Sequence, residues 1–412
     1  MKMLIMPTYF FPEQVSSTHL DIDRFDAYSR NNIESVVITP QPTRGIDKTI
    51  RQETPMKEQL FSGTVTVHRF RMFREGRNPL IRALRYSMVQ LCQYYFGRKE
   101  TGIDVIYSGS TPPTQGLLCG RLKQRLIRKK GKYVPYILCL QDLFPESLVN
   151  AGITQKGSIL WRIGERVEKY TYNAADKIIV ICNQFKRSLM EKGVSEDKIK
   201  VISNWIDLDT IKPVKREDNG LIKEYNLDKN KFLIVYAGNL GETQGSDIII
   251  RVAKRLQNYV DIHFVIFGAG VCFSDIQTQA QDLSNVTVGN ILPLERISEV
   301  YSLGNIDLIT CKKGTGKAGL PSKVWSIMAC NTCIVASFDT DSDLAEILDR
   351  SNAGVCVEPE NELALQQAIL EKYEAWKSDK SSYVDSRKFV AQYASRDACV
   401  EQYCQLIRSS VK

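Results

Sequence analysis

Short apolar runs rich in β-branched residues alternate with amphipathic segments along the chain. Near-continuous apolar strands separated by helices are typical of a parallel sheet that is covered on both faces. In the first half, the runs that predict strands lie at residues 3–6, 36–39, 65–69, 105–108, 136–140, 177–181 and 200–202. The pattern therefore predicts an α/β domain.

The same pattern starts again at Lys231. Strands are predicted at 232–237, 262–267, 286–288, 306–310, 333–337 and 354–357, and helices at 246–257, 296–302, 321–329, 342–349 and 362–376. Residues 207–227 carry Pro213, Gly220 and dense charge, as a linker does. We therefore predict two tandem Rossmann-like, doubly wound α/β domains that face a cleft, at 1–207 and 208–385. A C-terminal helical segment, 386–412, is expected to pack back on the first domain.

One long helical pattern lies between the strands predicted at 65–69 and 105–108. Its apolar residues recur at helical spacing and predict a single buried stripe, made of Leu80, Leu84, Met88, Leu91 and Tyr95.

Length and charge narrow the class of protein. The chain has 412 residues, which suits two domains, and a formal net charge of +8. No stretch approaches the roughly 20 apolar residues that span a bilayer, so we expect a cytoplasmic protein. The positive charge suits an anionic partner, which leaves nucleic acid, anionic lipid and phosphorylated substrates open.

Glycines follow two predicted strands of the second half. The segment 236–245 places Gly238, Asn239, Gly241 and Gln244 in a turn that opens a helix, where backbone N–H groups can approach a phosphate. A steric need for glycine is the alternative interpretation. A second turn, at 267–270, contains Gly268 and suggests a contact beside a nucleoside. It lacks the third glycine and the acidic residue of a dinucleotide site, so NAD is not expected.

The segment 312–329 has the strongest signal for an anion site. A Gly/Lys loop, expected to be flexible, precedes Leu320, Pro321, Ser322 and Lys323. Pro321 suits the first position of a helix, so that the helix dipole, the Ser322 hydroxyl and the Lys323 ammonium would together receive a pyrophosphate. The alternative is a solvated basic loop before an ordinary helix.

Polar residues follow three strands of the first half. Ser16, Ser17 and His19 lie near the start of the first helix, and Ser110 and Thr111 follow the strand at 105–108. We assign these five residues to acceptor binding. Asp142 and Glu146 follow the strand at 136–140 and are the candidate catalytic carboxylates; helix capping with a salt bridge is the alternative.

Four motifs together resemble glycosyltransferase family 4, a retaining family with the GT-B fold. They are DLFPES at 142–147, NWID at 204–207, GNLGETQG at 238–245 and LPSKVWSIMA at 320–329. Within the family, they are most similar to bacterial N-acetyl-fucosamine transferases of O-antigen and capsule synthesis. The resemblance implies that the second domain binds a nucleotide-sugar, with UDP the expected nucleotide, and that the first binds a lipid-diphosphate-linked saccharide. It also implies that no metal or other cofactor is needed.

The sequence departs from the family pattern at the donor site. Ala318 and Ser326 occupy the positions where the family has two glutamates, and Gln244 replaces a basic residue. These departures leave Lys323 as the main candidate for the cation that neutralises the phosphate charge. Asp142 lies in the region of the family's acceptor-side histidine, where a carboxylate can orient the acceptor or stabilise positive charge on the sugar.

Basic residues cluster twice in the first domain and predict a peripheral location on the inner face of the plasma membrane. On the second cluster, Leu118, Leu122 and Leu126 are expected to pack inward while Arg121, Arg125 and Lys129 face out. Solvated helix faces are the alternative, and nucleic acid is not expected because no recognised motif accompanies the charge. The clusters are Arg69, Arg71, Arg74, Arg77, Arg82 and Arg85, and then Arg121, Lys123, Arg125, Arg128, Lys129, Lys130 and Lys132.

Three other functions stay open at this point. A nucleotide-sugar epimerase of the same fold would change the sugar without an acceptor. A metal-dependent transferase would use Asp339 and Asp341, which have the spacing of a DxD motif. An inactive sugar-nucleotide-binding subunit is the third, because the two glutamates are missing.

Overall fold

The computed structural model describes residues 1–13, 18–76, 78–150, 153–379 and 385–411. It divides into two compact units, one of residues 1–203 with 399–412 and the other of residues 204–398. Each unit is built on a largely parallel sheet with helices between its strands, which confirms the predicted α/β class. Among the described helices, none combines the length and apolarity needed to cross a bilayer.

The first unit contains an eight-stranded sheet in the order β3-β4-β2-β1-β5-β6-β7-β8. Its strands are β1 (Lys2–Ile5), β2 (Glu34–Pro40), β3 (Lys57–Leu60), β4 (Val65–Phe70), β5 (Val105–Gly109), β6 (Tyr136–Leu140), β7 (Lys177–Val180) and β8 (Ile199–Val201). Its helices are α1 (Thr18–Arg30), α2 (Lys48–Glu53), α3 (Pro79–Gly97), α4 (Gln115–Lys130), α5 (Glu146–Asn150), α6 (Ile159–Ala174) and α7 (Asn183–Glu191).

The second unit contains a six-stranded parallel sheet in the order β11-β10-β9-β12-β13-β14. Its strands are β9 (Phe232–Asn239), β10 (Ile262–Ala269), β11 (Val286–Asn290), β12 (Ile306–Thr310), β13 (Cys333–Ser337) and β14 (Gly354–Val357). Its helices are α8 (Gly220–Glu224), α9 (Asp247–Arg255), α10 (Phe273–Ala280), α11 (Ile297–Tyr301), α12 (Lys323–Ala329), α13 (Asp343–Ser351), α14 (Glu362–Ser378) and α15 (Arg387–Tyr393).

Alternation along β9 shows why the strands are almost continuously apolar. Leu233 and Val235 pack into the core on one face of the sheet, and Phe232 and Ile234 into the core on the other. Because both faces are covered, both sets of side chains must be apolar. Every strand predicted from the sequence is present, whereas β3 was not predicted. This edge strand pairs antiparallel with β4, and its KEQL sequence carries no apolar run.

The predicted segment 386–412 divides between the two units. Residues up to 398, which include α15, belong to the second unit, where the Arg387 guanidinium donates to the carbonyls of Ile211 and Ala329 at 2.7 and 2.8 Å. Most of the last helix, α16 (Arg396–Ser410), belongs to the first unit. There the Arg24 guanidinium lies 5.5 Å from the centre of the Tyr403 ring.

Helix α3 faces the opposite way from the prediction. Leu84, Met88, Leu91 and Tyr95 are exposed, and the Leu80 side chain lies outside the described residues. The buried face instead carries Arg85, Val89 and Gln93, which recur every four residues.

Hydrogen bonds explain this orientation. The Gln93 amide donates to the carbonyls of Pro7 and Ile38 at 2.8 and 3.1 Å, and Arg85 Nε donates to Phe73 O at 3.2 Å. The bond to Ile38 O is buried, and a buried carbonyl needs a donor. Gln93 and Arg85 therefore face inward, and the apolar stripe is left outside.

Close contact between α4 and α6 depends on small residues. A Cβ atom on Gly116 would lie 2.1–2.6 Å from three side-chain atoms of Thr171, and one on Gly120 would lie 2.8 Å from Ala174 Cβ. On the same helix, Leu118, Leu122 and Leu126 are buried while Arg121, Arg125 and Lys129 are exposed, as predicted.

Substituting Gly116 tests this helix contact. We expect Gly116→Ala to destabilise the protein by about 1–3 kcal/mol, because overpacking a tight contact exceeds the gain in helix propensity. Thermal or denaturant unfolding measures the change. Gly109→Ala is the control, since a Cβ there meets no atom within 4 Å. Equal stability of the two variants would contradict the tight contact.

Candidate functional site

The glycine turns of the second unit meet at the carboxyl ends of β9 and β10. Gly238 lies beside Gly268 in the parallel register of these strands. A Cβ on Gly268 would lie 2.6 Å from Leu240 Cδ1 and 2.8 Å from Gly238 O, so this position requires glycine for packing. Packing therefore accounts for the glycine at position 268, and its contact with a nucleoside stays a prediction.

Lys323 reaches this same edge from the start of α12. Its Nζ donates to Ala237 O at 3.0 Å and lies 3.9 Å from the centre of the Tyr236 ring. A Cβ on Gly238 would lie 3.4 Å from the ammonium nitrogen, in van der Waals contact with it. The structure thus brings together two motifs that are about 80 residues apart in the sequence.

Burial changes the acid–base behaviour of this lysine. Desolvation lowers the pKa of Lys323 to about 8, and the nearby Asp307 carboxyl opposes that shift. Lys323 is therefore a cation whose charge depends on pH close to neutrality.

Asp307 was not predicted as a site residue. It lies on β12 opposite Val235 of β9, fully enclosed, and neither carboxyl oxygen has a hydrogen-bond partner among the described residues. Burial raises the pKa of Asp307 well above its ordinary value, and Lys323 opposes that shift. An aspartate inside the apolar run IDLIT was the sequence signal that could have identified it.

The turn after β9 is ordered by its own side chains. Asn239 Nδ2 donates to Gln244 Oε1 at 3.1 Å, and the Tyr236 hydroxyl donates to Asn239 O at 2.7 Å. Gly245 has a φ of +55° and faces the backbone of Cys311, where a Cβ would lie 3.2 Å from the carbonyl carbon. Asn239 and Gln244 therefore hold the turn, and Gln244 does not supply the cation that the family has there.

The Gly/Lys loop is anchored by hydrogen bonds, and its expected flexibility stays a prediction. The Asp339 carboxylate accepts from the backbone N–H groups of Gly314 and Gly316 at 2.9 and 2.8 Å. The backbone N–H of Lys312 donates to Thr243 O at 2.9 Å, which ties the loop to the turn after β9. Asp341 pairs with Lys317 at 2.5 Å. Both carboxylates of the DxD spacing therefore have partners in the protein, and within the described residues no group of three or more His, Cys, Asp or Glu could hold a metal ion.

Helix α12 begins two residues later than predicted. Its first residue is Lys323, so Pro321 lies before the helix and not at its first position. Ser322 occupies the cap without a side-chain capping bond and is exposed, and Leu320 packs against the core. Ser326, at one position of the missing glutamates, is buried. The side chain of Ala318, at the other position, lies outside the described residues.

In the first unit, three loops meet at the carboxyl edge of the sheet. The Thr8 hydroxyl donates to Thr111 O at 3.3 Å, and the Gln141 backbone N–H donates to Ser110 Oγ at 3.3 Å. Asp142 follows directly, exposed and without a side-chain partner among the described residues. Partial burial of its carboxyl raises the pKa of Asp142 above its ordinary value. Ser110, Thr111 and Asp142 therefore belong to neighbouring loops.

Glu146 lies in a different setting from Asp142. Its carboxylate pairs with Lys192 at 2.7 Å, and the same ammonium pairs with Glu168 at 2.6 Å. Glu168 also accepts from the Tyr172 hydroxyl at 2.7 Å. This cluster fits the structural alternative for Glu146, and its catalytic assignment stays a prediction.

The remaining acceptor residues are only partly placed. Ser16 and Ser17 lie outside the described residues, and His19 is exposed near the start of α1. Glu13, which was not predicted, is buried and accepts from the backbone N–H groups of Phe10, Thr43 and Arg44. It organises the loop that leads to these residues.

Some side chains of the two basic clusters form ion pairs and hydrogen bonds within the first unit. Arg69 is buried, pairs with Glu58 at 2.5 Å and donates to Phe11 O at 2.7 Å. Arg85 is fully buried, and Lys123 pairs with Asp176 at 2.6 Å. Arg69 and Arg85 are buried, so the prediction that these two side chains face a membrane is wrong, whereas Lys123 is half-buried. Arg77 lies outside the described residues, as does the Lys130 side chain.

Comparisons with known proteins agree with this architecture. The model of the family described as Glycosyltransferase Family 4 matches residues 26–210, and that described as Glycosyl transferases group 1 matches residues 218–389. The chain is 27% identical over 324 residues to "Probable glycosyltransferase WbjE" of Pseudomonas aeruginosa. The aligned region covers 77% of this chain and 78% of that protein.

Two further proteins extend the comparison. WcaI of Escherichia coli K12, whose name places it in colanic acid biosynthesis, is 27% identical over 57% of this chain and 58% of its own length. The solved structure of Anabaena Alr3699/HepE in complex with UDP has the same fold, with a TM-score of 0.69, 13% identity and coverage of 99% of this chain and 100% of that one. The chain is thus a two-domain glycosyltransferase of the GT-B fold, in which a Glycosyltransferase Family 4 domain precedes a Glycosyl transferases group 1 domain.

Proposed function

We propose that this glycosyltransferase moves a sugar from a nucleoside-diphosphate sugar to a lipid-linked saccharide during synthesis of a surface polysaccharide. The main support for this proposal is the position of Lys323 Nζ, which lies 3.0 Å from Ala237 O at the carboxyl end of β9. That edge is where ligands of doubly wound sheets bind. The name of WcaI supports polysaccharide synthesis as the biological setting.

The donor is proposed to bind the second unit with its diphosphate at Lys323. UDP is the nucleotide we favour, since the HepE structure of the same fold holds UDP. An ammonium with one hydrogen bond to a carbonyl retains further N–H donors for phosphate oxygens. The resemblance of the four motifs together to N-acetyl-fucosamine transferases supports an N-acetylated hexosamine or deoxyhexosamine as the sugar.

The reaction is proposed to retain the anomeric configuration and to need no metal. The bond between the sugar's anomeric carbon and the diphosphate breaks, and a new bond forms to an acceptor hydroxyl on the same face. The acceptor proton passes to the departing diphosphate. Lys323 would neutralise the charge that develops on this leaving group.

The acceptor is proposed to bind the first unit at the loops after β1, β5 and β6. Ser110 Oγ accepts from the Gln141 backbone and keeps its own O–H to donate, while Asp142 offers a free carboxyl. A carboxylate beside a reacting sugar stabilises positive charge on it, so Asp142 would act close to the anomeric carbon.

Product analysis tests the proposed function. The protein is incubated with UDP-N-acetylhexosamines, with and without a lipid-diphosphate saccharide, and the products are separated by mass spectrometry. Release of UDP with glycosylated acceptor supports transfer. A changed nucleotide-sugar without acceptor would indicate an epimerase, and donor binding without any product would indicate an inactive subunit.

Removing the charge of Lys323 is expected to weaken donor binding. Lys323→Met keeps the length of the stem, and we expect UDP affinity to fall by about 1.5–3 kcal/mol, the scale of a charged hydrogen bond. Calorimetric titration with UDP measures the loss. Lys313→Met, an exposed lysine of the nearby loop, is the control. Unchanged affinity in the Lys323 variant would remove this residue from the site.

UDP affinity should also depend on pH. The folded-state pKa of Lys323 is about 8, so the ammonium is charged below that pH and is lost as the pH rises through it. We therefore expect UDP to bind more weakly above pH 8 and to take up protons on binding near pH 8. Calorimetry in buffers of different ionisation enthalpy measures both effects. Asp307→Asn removes the carboxyl that raises this pKa and should move the loss of affinity to lower pH; an unshifted profile would contradict the coupling.

Asp142 and Glu146 should respond differently to neutral substitution. We expect Asp142→Asn to lower turnover strongly while UDP affinity and melting temperature stay unchanged. Glu146→Gln removes a partner of Lys192 and should lower the melting temperature. Steady-state kinetics with thermal unfolding distinguish the two. Full activity of Asp142→Asn would exclude a catalytic role, and a loss of turnover by Glu146→Gln at unchanged stability would return Glu146 to the reaction.

A further inference from the structure

Three loops at the carboxyl edge of the first sheet meet at the Glu75 carboxylate. They follow β1, β2 and β4, which are neighbours in the parallel part of that sheet. The Tyr9 hydroxyl donates to Glu75 Oε2 at 2.7 Å, and the Arg44 guanidinium donates to Glu75 Oε1 at 3.0 Å. Arg82 of α3 pairs with the same oxygen at 2.9 Å. Because the Glu75 side chain is only 5% exposed, it fixes these three side chains, which with Glu75 form the arginine cluster.

Both arginines of the arginine cluster remain open to a ligand. The side chains of Arg44 and Arg82 are each 41% exposed. Each reaches Glu75 through one nitrogen, and their other side-chain N–H groups have no partner among the described residues. The Arg44 guanidinium also lies 4.6 Å from the centre of the Tyr9 ring. A guanidinium has five N–H donors in a planar fork, so each arginine is oriented by Glu75 and still has donors to offer.

Structural pairing with Glu75 does not account for the number of cations at this edge. Arg85 is a third arginine beside Glu75, and its buried Nη1 lies 3.9 Å from that carboxylate without a hydrogen-bond partner among the described residues. Within the described part of the chain, Arg51 donates to backbone carbonyls and to no carboxylate. Burial, together with the nearby Arg74 and Arg85, lowers the pKa of Arg51. The arginines therefore outnumber the carboxylates that they contact, and the remaining positive charge attracts an anion.

The arginine cluster adjoins the loops to which we assign the acceptor. Tyr9 follows Thr8, whose hydroxyl donates to Thr111 O at 3.3 Å. Ser110 of that second loop accepts from the backbone at the start of the loop that carries Asp142. Strands β2, β1, β5 and β6 are consecutive in the sheet. The edge is therefore continuous from the arginine cluster to Asp142.

We propose that the arginine cluster binds the diphosphate of the acceptor substrate. Guanidinium groups pair with phosphate oxygens through parallel N–H bonds, and the surplus of positive charge favours a diphosphate over a single carboxylate. Such a group joins a saccharide to its lipid, so the cluster would receive this end of the acceptor while the reacting hydroxyl lies towards Asp142. Because the acceptor belongs to the proposed transfer reaction, this assignment rests on that function. The cluster is a second anion site, formed by residues other than those proposed for the donor diphosphate.

Titration of the full chain with geranyl diphosphate, a soluble prenyl diphosphate, tests this site. Saturating UDP is present to fill the proposed donor site. We expect geranyl diphosphate to bind at least about tenfold more tightly than geraniol, and Arg44→Gln with Arg82→Gln to weaken its binding at least about tenfold. The matched control is Arg121→Gln with Arg125→Gln, two exposed arginines of α4, which should bind geranyl diphosphate as the natural chain does.

Melting temperature and UDP titration of each variant separate loss of the site from misfolding and from loss of donor binding. If the variant of the arginine cluster does not fold, the natural chain still decides, since geranyl diphosphate, geranyl phosphate and geraniol should bind with decreasing affinity in that order. Equal affinity for all three ligands, or an equal loss in the α4 variant, would overturn the assignment. So would glucuronate that displaces geranyl diphosphate at similar concentrations.

Failure of this site and failure of the proposed function give different results. Sugar transfer by a chain whose geranyl diphosphate affinity is unchanged in the variant of the arginine cluster would overturn the site alone. Binding that this variant abolishes, in a chain that transfers no sugar to any acceptor, would support the site and contradict the proposed function.

Discussion

The half-buried ammonium of Lys323 is the contact on which the proposed donor site of the second unit depends. It is held by the carbonyl of Ala237 and lies over the Tyr236 ring, so its position is fixed by the strand that ends at the glycine turn. The enclosed Asp307 carboxyl, which has no hydrogen-bond partner among the described residues, opposes the lowering of the Lys323 pKa by burial. An unpaired buried cation would be costly, and this arrangement keeps one available at the edge of the sheet.

The loops around this cation are attached to one another by hydrogen bonds. Asp339 holds the backbone of the Gly/Lys loop through two N–H groups, and Lys312 ties that loop to Thr243. Gly268 and Gly245 allow backbones to approach where a Cβ would collide. A preorganised site of this kind holds its donors in place before a ligand arrives, which reduces the cost of ordering them on binding.

Much of the candidate site could be predicted from the sequence, but the separate roles of its residues could not. The motifs at 238–245 and 320–329 identified the residues that the structure brings together around Lys323. No local pattern separates Asp142 from Glu146, because the partner of Glu146 is Lys192, far along the chain. Likewise, the arginines of the first cluster appeared equivalent, although Arg69 is buried with Glu58 and Arg71 is exposed.

The sequence by itself determined every strand except β3, the two α/β halves and the glycine turns, since these follow from local periodicity and from the backbone freedom of single residues. Only the tertiary structure decided which face of α3 is buried. Periodicity identified its apolar stripe correctly but could not show that the carbonyls of Pro7 and Ile38 would draw Gln93 inward. A buried carbonyl must find a donor, and its donor comes from a distant part of the chain, so a pattern read along the sequence does not contain it.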